Sequence, residues 1–121
     1  MELKADAKLL RIFLGEADKV KHTALYEAIV REARRTGLAG ATVWRGILGY
    51  GPTSRIRTER ILDLSMDLPI IVEIADVEEK INLFLPLLHD LFEAAQCGGL
   101  VTVENVKVIK YVHGKDPAPV Q

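Results

Sequence analysis

Only one cysteine, Cys97, occurs in the 121 residues, so neither an intrachain disulfide nor a metal site built from several cysteines can form. Aromatic residues make up 6%, with a single tryptophan, Trp44. No apolar run reaches the ~20 residues that a membrane-spanning helix needs. The stretch 81–88 is short and is flanked by Glu79, Lys80 and Asp90. The opening residues 1–6 are polar and acidic where a secretory leader would be apolar. A cytoplasmic location is expected. Arginine is absent beyond residue 60: residues 1–60 hold 12 of the 16 basic and 7 of the 17 acidic side chains. The net charge of -1 argues against generic nucleic-acid binding. The uneven distribution reads either as solvated charges that folding interleaves or as a local basic site.

Hydrophobic residues at 49% and charged residues at 27% fit one soluble domain with a modest core. Residues 8–14 alternate, with Leu10, Ile12 and Leu14 on one face, as a pleated strand requires. Thr23 is a candidate N-cap for a helix to about residue 36, with Leu25, Ala28, Ile29 and Ala33 at helical spacing. Arg34 and Arg35 suit its last turn, and Gly37 its end. A second strand is expected over 41–48, followed by a long connection 49–68 in which 61–64 reads as a short strand or turn. Residues 69–75 read as a third strand that tolerates Pro69 at its start. Asp76 and Glu79 form an acidic variant of the capping box. The helix they open carries Ile81, Phe84, Leu85, Leu88, Phe92 and Ala95 on one face, with Pro86 inside it. Strand-like segments follow at 100–103 and 106–112, and the tail 115–121 is expected to fray. The order is β-α-β-β-α-β. It predicts an α+β, ferredoxin-like sandwich with an antiparallel sheet and both helices on one face, in a single domain whose core spans about 7–114.

The chemistry-bearing stretch is 46–57, where Gly46, Gly49 and Gly51 precede Pro52, Arg55 and Arg57, with Arg60 just beyond. Glycine amides beside guanidinium groups suit an anionic ligand such as a phosphate. The same stretch also reads as a hairpin tip with solvated arginines. Glu73 sits in an otherwise apolar strand, so its charge must meet solvent, an interface or a ligand. Trp44 suits a core or interface anchor, or a base-stacking platform. Cys97, at a helix end, is expected to be a small packed residue rather than a reactive thiol. His22, His89 and His113 have no metal-ligand spacing. No nucleophile, base and orienting group stand together, so an enzyme is disfavoured, with a small hydrolase kept as the third class.

The segment 37–43 leading to Gly49-Tyr50-Gly51 is similar to the approach to the long T-loop of PII signalling proteins. Residues 98–103 resemble the glycine-rich turn after the second PII helix, and 108–114 its C-terminal strand and loop. With 45–51 and 67–73, the span from about 8 to 114 resembles a branch of PII-like proteins known as domain of unknown function 190. The resemblance implies a homotrimer that binds an adenine nucleotide in each inter-subunit cleft and regulates a membrane transporter or enzyme through its long loop. It places Thr42 near the base, with Gly49, Tyr50 and Gly51 at the loop start and Glu73 on the facing strand. Gly98 and Gly99 would offer amides to phosphate and Lys110 its charge, while Arg55, Arg57 and Arg60 would face a partner. Two basic residues of PII are missing, with Leu100 and Val112 standing in their places. Each lost charged contact is worth about 1.5–3 kcal/mol. AMP or ADP is therefore expected rather than ATP, with no other cofactor and no metal. The alternative is a structural or metal-responsive ferredoxin-like trimer without a nucleotide.

Overall fold

A computed structural model describes residues 6–52, 56–58 and 67–114 of the chain. Arg55, Arg60, the segment 61–64 and the tail 115–121 lie outside the described residues. The elements are β1 (Asp6–Gly15), β2 (Lys19–Val20), β3 (Thr23–Ala24), α1 (Leu25–Arg35), β4 (Thr42–Arg45), β5 (Leu48–Gly49), β6 (Arg57–Thr58), β7 (Pro69–Asp76), α2 (Glu78–Ala95) and β8 (Leu100–Lys107).

Strands β4, β7, β1 and β8 form one sheet in that order, and every neighbouring pair is antiparallel. The two strands farthest apart in sequence, β1 and β8, are neighbours, and both helices lie over one face. This is the ferredoxin-like α+β sandwich that the element order predicts. Leu10, Ile12 and Leu14 of β1 and Ile70, Val72 and Ile74 of β7 face the helices and are buried. They pack against Leu25, Ile29 and Ala33 of α1 and Ile81, Phe84 and Leu88 of α2. Each large apolar side chain so buried contributes about 1.5–3 kcal/mol. Val101 and Val103 of the edge strand β8 are 39% and 45% exposed, because the helices cover the middle of the sheet rather than this edge. Among the described residues, the opposite sheet face carries no helix.

Several local expectations are corrected. Thr23 does not cap α1: it pairs with Val20 in a two-residue ladder, and the Leu25 amide donates to the Asp18 carbonyl. Ala24 stands at the N-cap without a side-chain bond. The far end of α1 is as expected, with Arg34 and Arg35 in its last turn and Gly37 at φ +84°. The expected strand 41–48 stops at Arg45. Pro69, at the start of β7, has no N–H to donate, so the ladder closes with the Gly46 amide donating to the Pro69 carbonyl at 2.7 Å. The chain then begins a second ladder, β5 with β6. Val77, not Asp76, is the N-cap of α2. Residues 100–107 form one continuous strand, whereas 108–112 are not a strand. Lys107 pairs with Asp6, the first of the described residues.

Candidate functional site

The two glycine bends meet. Gly46, Gly49, Tyr50 and Gly51 line one side of a groove of about 510 Å³, and Gly98 and Gly99 line the other. Phe13 and Ile71 contribute apolar walls from the sheet, and Arg57 joins them from β6. Tyr50 is largely exposed above it. Different physical reasons hold these glycines. A Cβ on Gly99 would fall 2.4 Å from Phe92 Cε1 and 2.9 Å from the Phe13 carbonyl, so this bend needs glycine to pass the core. A Cβ on Gly49 would meet Pro69 Cγ at 3.3 Å, a tight contact, as the β5–β6 hairpin folds down on β7. Among the described residues, a Cβ on Gly51 would meet nothing within 4 Å. Packing among the described residues does not account for Gly51.

Arg57, expected on a surface offered to a partner, is turned inward instead. Its side chain is only 14% exposed. Its Nη1 donates to Asp67 Oδ1 at 2.5 Å, and its Nη2 lies 4.0 Å from Asp18 Oδ1. Asp67 Oδ1 also accepts the Ala17 amide at 3.0 Å, and Asp18 Oδ2 accepts the Gly15 amide at 2.8 Å. Nothing in composition marks Asp67 or Asp18 as the arginine's partners, because the contact depends on loop closure over Gly15.

Thr42 and Glu73 stand outside this groove. They pair across β4 and β7, on the helix-free face of the sheet. Glu73 is the centre of a polar cluster there. Arg11 Nε donates to its Oε2 at 2.7 Å and Trp44 Nε1 to its Oε1 at 2.6 Å, while Arg11 also pairs with Glu104. The Arg11 hydrogen bond holds the Glu73 carboxyl below the usual carboxylate range against the opposing effect of burial, with the Trp44 bond assisting. Trp44 is 56% exposed and so is no core residue. Arg11 carries an alternation signal that sequence could have used, since it sits between Leu10 and Ile12 on the face opposite theirs.

Lys110 is exposed beyond the end of β8 and does not line the groove. Its segment is fixed by Tyr111, whose hydroxyl donates to the Ala39 carbonyl at 3.1 Å and whose ring meets His113 edge-on. Cys97 is half-buried, and desolvation, with Asp18 nearby, pushes its thiol up to about 11. Among the described residues no three His, Cys, Asp or Glu side chains gather as a metal site requires. Among them, too, no helix is long and apolar enough to cross a membrane.

A family model for DUF190, described as an uncharacterised ACR family, matches residues 7–108. A UPF0166 protein of Aquifex aeolicus is 42% identical over 102 residues, covering 84% of this chain and 92% of its own length. A UPF0166 protein of Methanocaldococcus jannaschii is 39% identical over 104 residues, covering 86% and 93%. Among solved structures, CPII from Thiomonas intermedia K12, a nitrogen regulatory PII-like protein bound to ADP, AMP and bicarbonate, superposes with a TM-score of 0.66. It is 25% identical, with 87% of this chain and 90% of that one covered. A PII-like signalling protein from Thermus thermophilus shares the fold at a TM-score of 0.63 and 23% identity, with 87% and 91% covered.

Proposed function

The chain belongs to the DUF190 family of PII-like proteins, and on that premise we propose that it is a regulatory module, not an enzyme. In this reading it is a homotrimer that takes up an adenine nucleotide in the cleft between subunits and signals to a partner through the connection 49–68. The observation that carries the reading is the groove in which Gly49, Tyr50 and Gly51 face Gly98 and Gly99. It lies where β1 ends and β7 and β8 begin, beside the helix-free face of the sheet. Exposed apolar groups on that face, Trp44 and Leu100 among them, are what another copy would cover. Thr42, Glu73 and Lys110 are then supplied across the subunit boundary.

The ligand expected is AMP or ADP, the nucleotides bound by the CPII neighbour. Among the described residues, Arg57 is the one charged side chain lining the groove, and carboxylates already occupy it. A triphosphate would bring more negative charge than this lining neutralises. Signalling requires that the ligand favour one arrangement of the β5–β6 hairpin over another. The partner is a transporter or enzyme that reads that arrangement.

Calorimetry with AMP, ADP and ATP tests the reading, together with sedimentation for the mass of the particle. Binding of AMP or ADP by a trimer, lost in Gly49→Val, is expected. A monomeric particle, or affinity unchanged by that substitution, would place the site elsewhere.

A further inference from the structure

Arg57 belongs to two environments at once. Its guanidinium is bonded to Asp67 Oδ1 at 2.5 Å and lies 4.0 Å from Asp18 Oδ1, yet the same residue lines the groove between the glycine bends. Its seat is built around the absence of a side chain at Gly15, where a Cβ would fall 1.8 Å from Arg57 Nη1. The acidic side of the contact is fixed. Asp67 is held by the Ala17 amide, and the adjoining Leu68 carbonyl accepts the Glu16 amide at 2.8 Å. The basic side sits on a ladder of two residue pairs, Leu48 with Thr58 and Gly49 with Arg57. A short two-stranded ladder is weak alone. Any displacement of Arg57 is therefore passed directly to Gly49.

We propose that Arg57 is a shared cation, held by Asp67 in the ligand-free chain and taken over by the phosphate of a ligand entering the groove, so that anion binding detaches the β5–β6 hairpin from Asp67. The inference deepens the nucleotide reading above and rests on it for the identity of the ligand. A phosphate offers more charge and more acceptor oxygens to a guanidinium than one carboxylate does. The exchange also supplies what a switch needs, a contact that differs between the two states. Asp67 and Asp18 set the threshold by competing with the ligand for the same cation.

The experiment compares ADP with adenosine, which lacks phosphate, on the full chain and three variants. Asp67→Asn weakens the competitor and keeps an acceptor for Ala17. Gly15→Ala pushes the flexible guanidinium from its seat without changing any charge. Arg57→Gln removes the cation. Asp67→Asn and Gly15→Ala are expected to bind ADP roughly tenfold more tightly and Arg57→Gln roughly tenfold more weakly, with adenosine unchanged in all three. Amide exchange at residues 57 and 58 is expected to quicken when ADP is added to the wild type. ADP affinity that falls or stays level in Asp67→Asn and Gly15→Ala would overturn the proposal, as would equal shifts for adenosine. Should the wild type bind neither compound, the nucleotide reading fails by itself. Pyrophosphate then decides the exchange: tighter binding by Asp67→Asn than by wild type upholds it, and equal binding refutes it.

Discussion

The buried carboxylate of Asp76 accepts the backbone amide of Ala39 at 2.9 Å, tying the end of β7 to the turn before β4. Its other oxygen takes the Val77 amide at 2.7 Å, at the start of α2. Tyr111 closes the carbonyl side of the same Ala39. One side chain thus joins the turn after α1, the entry to α2 and, through Ala39, the segment that follows β8.

Asp76→Ala removes two hydrogen bonds to a charged group and is expected to cost about 2–4 kcal/mol. Tyr111→Phe removes one part-exposed bond and should cost no more than about 1 kcal/mol. Urea unfolding of the two variants checks the order. Equal losses would mean that Asp76 is not the principal tie.

The role of Asp76 was within reach of the sequence. It shares parity with Ile70, Val72 and Ile74, so a pleated strand that runs on to residue 76 aims it at the helices rather than at a cap. The alternation in β1 and β7, the spacing along α2 and the glycine at the end of α1 were legible because each is local. What was not legible depends on distant partners. The strand stops at Arg45 because Pro69 has no N–H to return to Gly46 and carry the ladder on, and the end of β8 at Lys107 is set by pairing with β1, a segment a hundred residues away in the chain. For the candidate site, the glycines could be named from the sequence. The meeting of the two bends in one groove and the inward turn of Arg57 toward Asp67 need the fold.

Glu73 gives a pH-dependent prediction. Its bond from Arg11 lowers its carboxyl below the ordinary value in the folded chain. The contribution to stability is therefore full above the unfolded carboxylate range, and it fades as pH falls through the lower, folded value. Trp44 donates to the same carboxylate, and it is the only tryptophan. Its fluorescence should titrate with a midpoint below the ordinary glutamate value in the wild type and show no such step in Glu73→Gln. A step that persists in the variant would assign the titration to another group.

The glycines separate by substitution. Gly99→Ala forces a methyl against Phe92 and the Phe13 carbonyl and should cost about 1–3 kcal/mol. Gly51→Ala meets none of the described residues within 4 Å and should leave the melting temperature nearly unchanged. A lower nucleotide affinity in Gly51→Ala, without a stability loss, would mark that position as reserved for the ligand.

Gln96 ends α2 in the left-handed conformation, at φ 53° and ψ 40°, where its amide donates to the Phe92 and Glu93 carbonyls. A non-glycine residue pays a steric penalty of about 1–2 kcal/mol there, because Cβ crowds the following carbonyl. Glycine escapes it but loses more freedom on folding, about 0.5–1 kcal/mol. Gln96→Gly should therefore raise stability by about 0.5–1 kcal/mol, read as a higher midpoint in thermal unfolding. The substitution adds a third glycine to the bend, one residue short of Gly98-Gly99 across Cys97, so the same variant also asks whether that bend must be stiff. If the bend works only as a rigid wall of the groove, nucleotide affinity should fall even as the melting temperature rises. If affinity holds, the packing of Gly99 against Phe92 and Phe13 is enough to fix the wall.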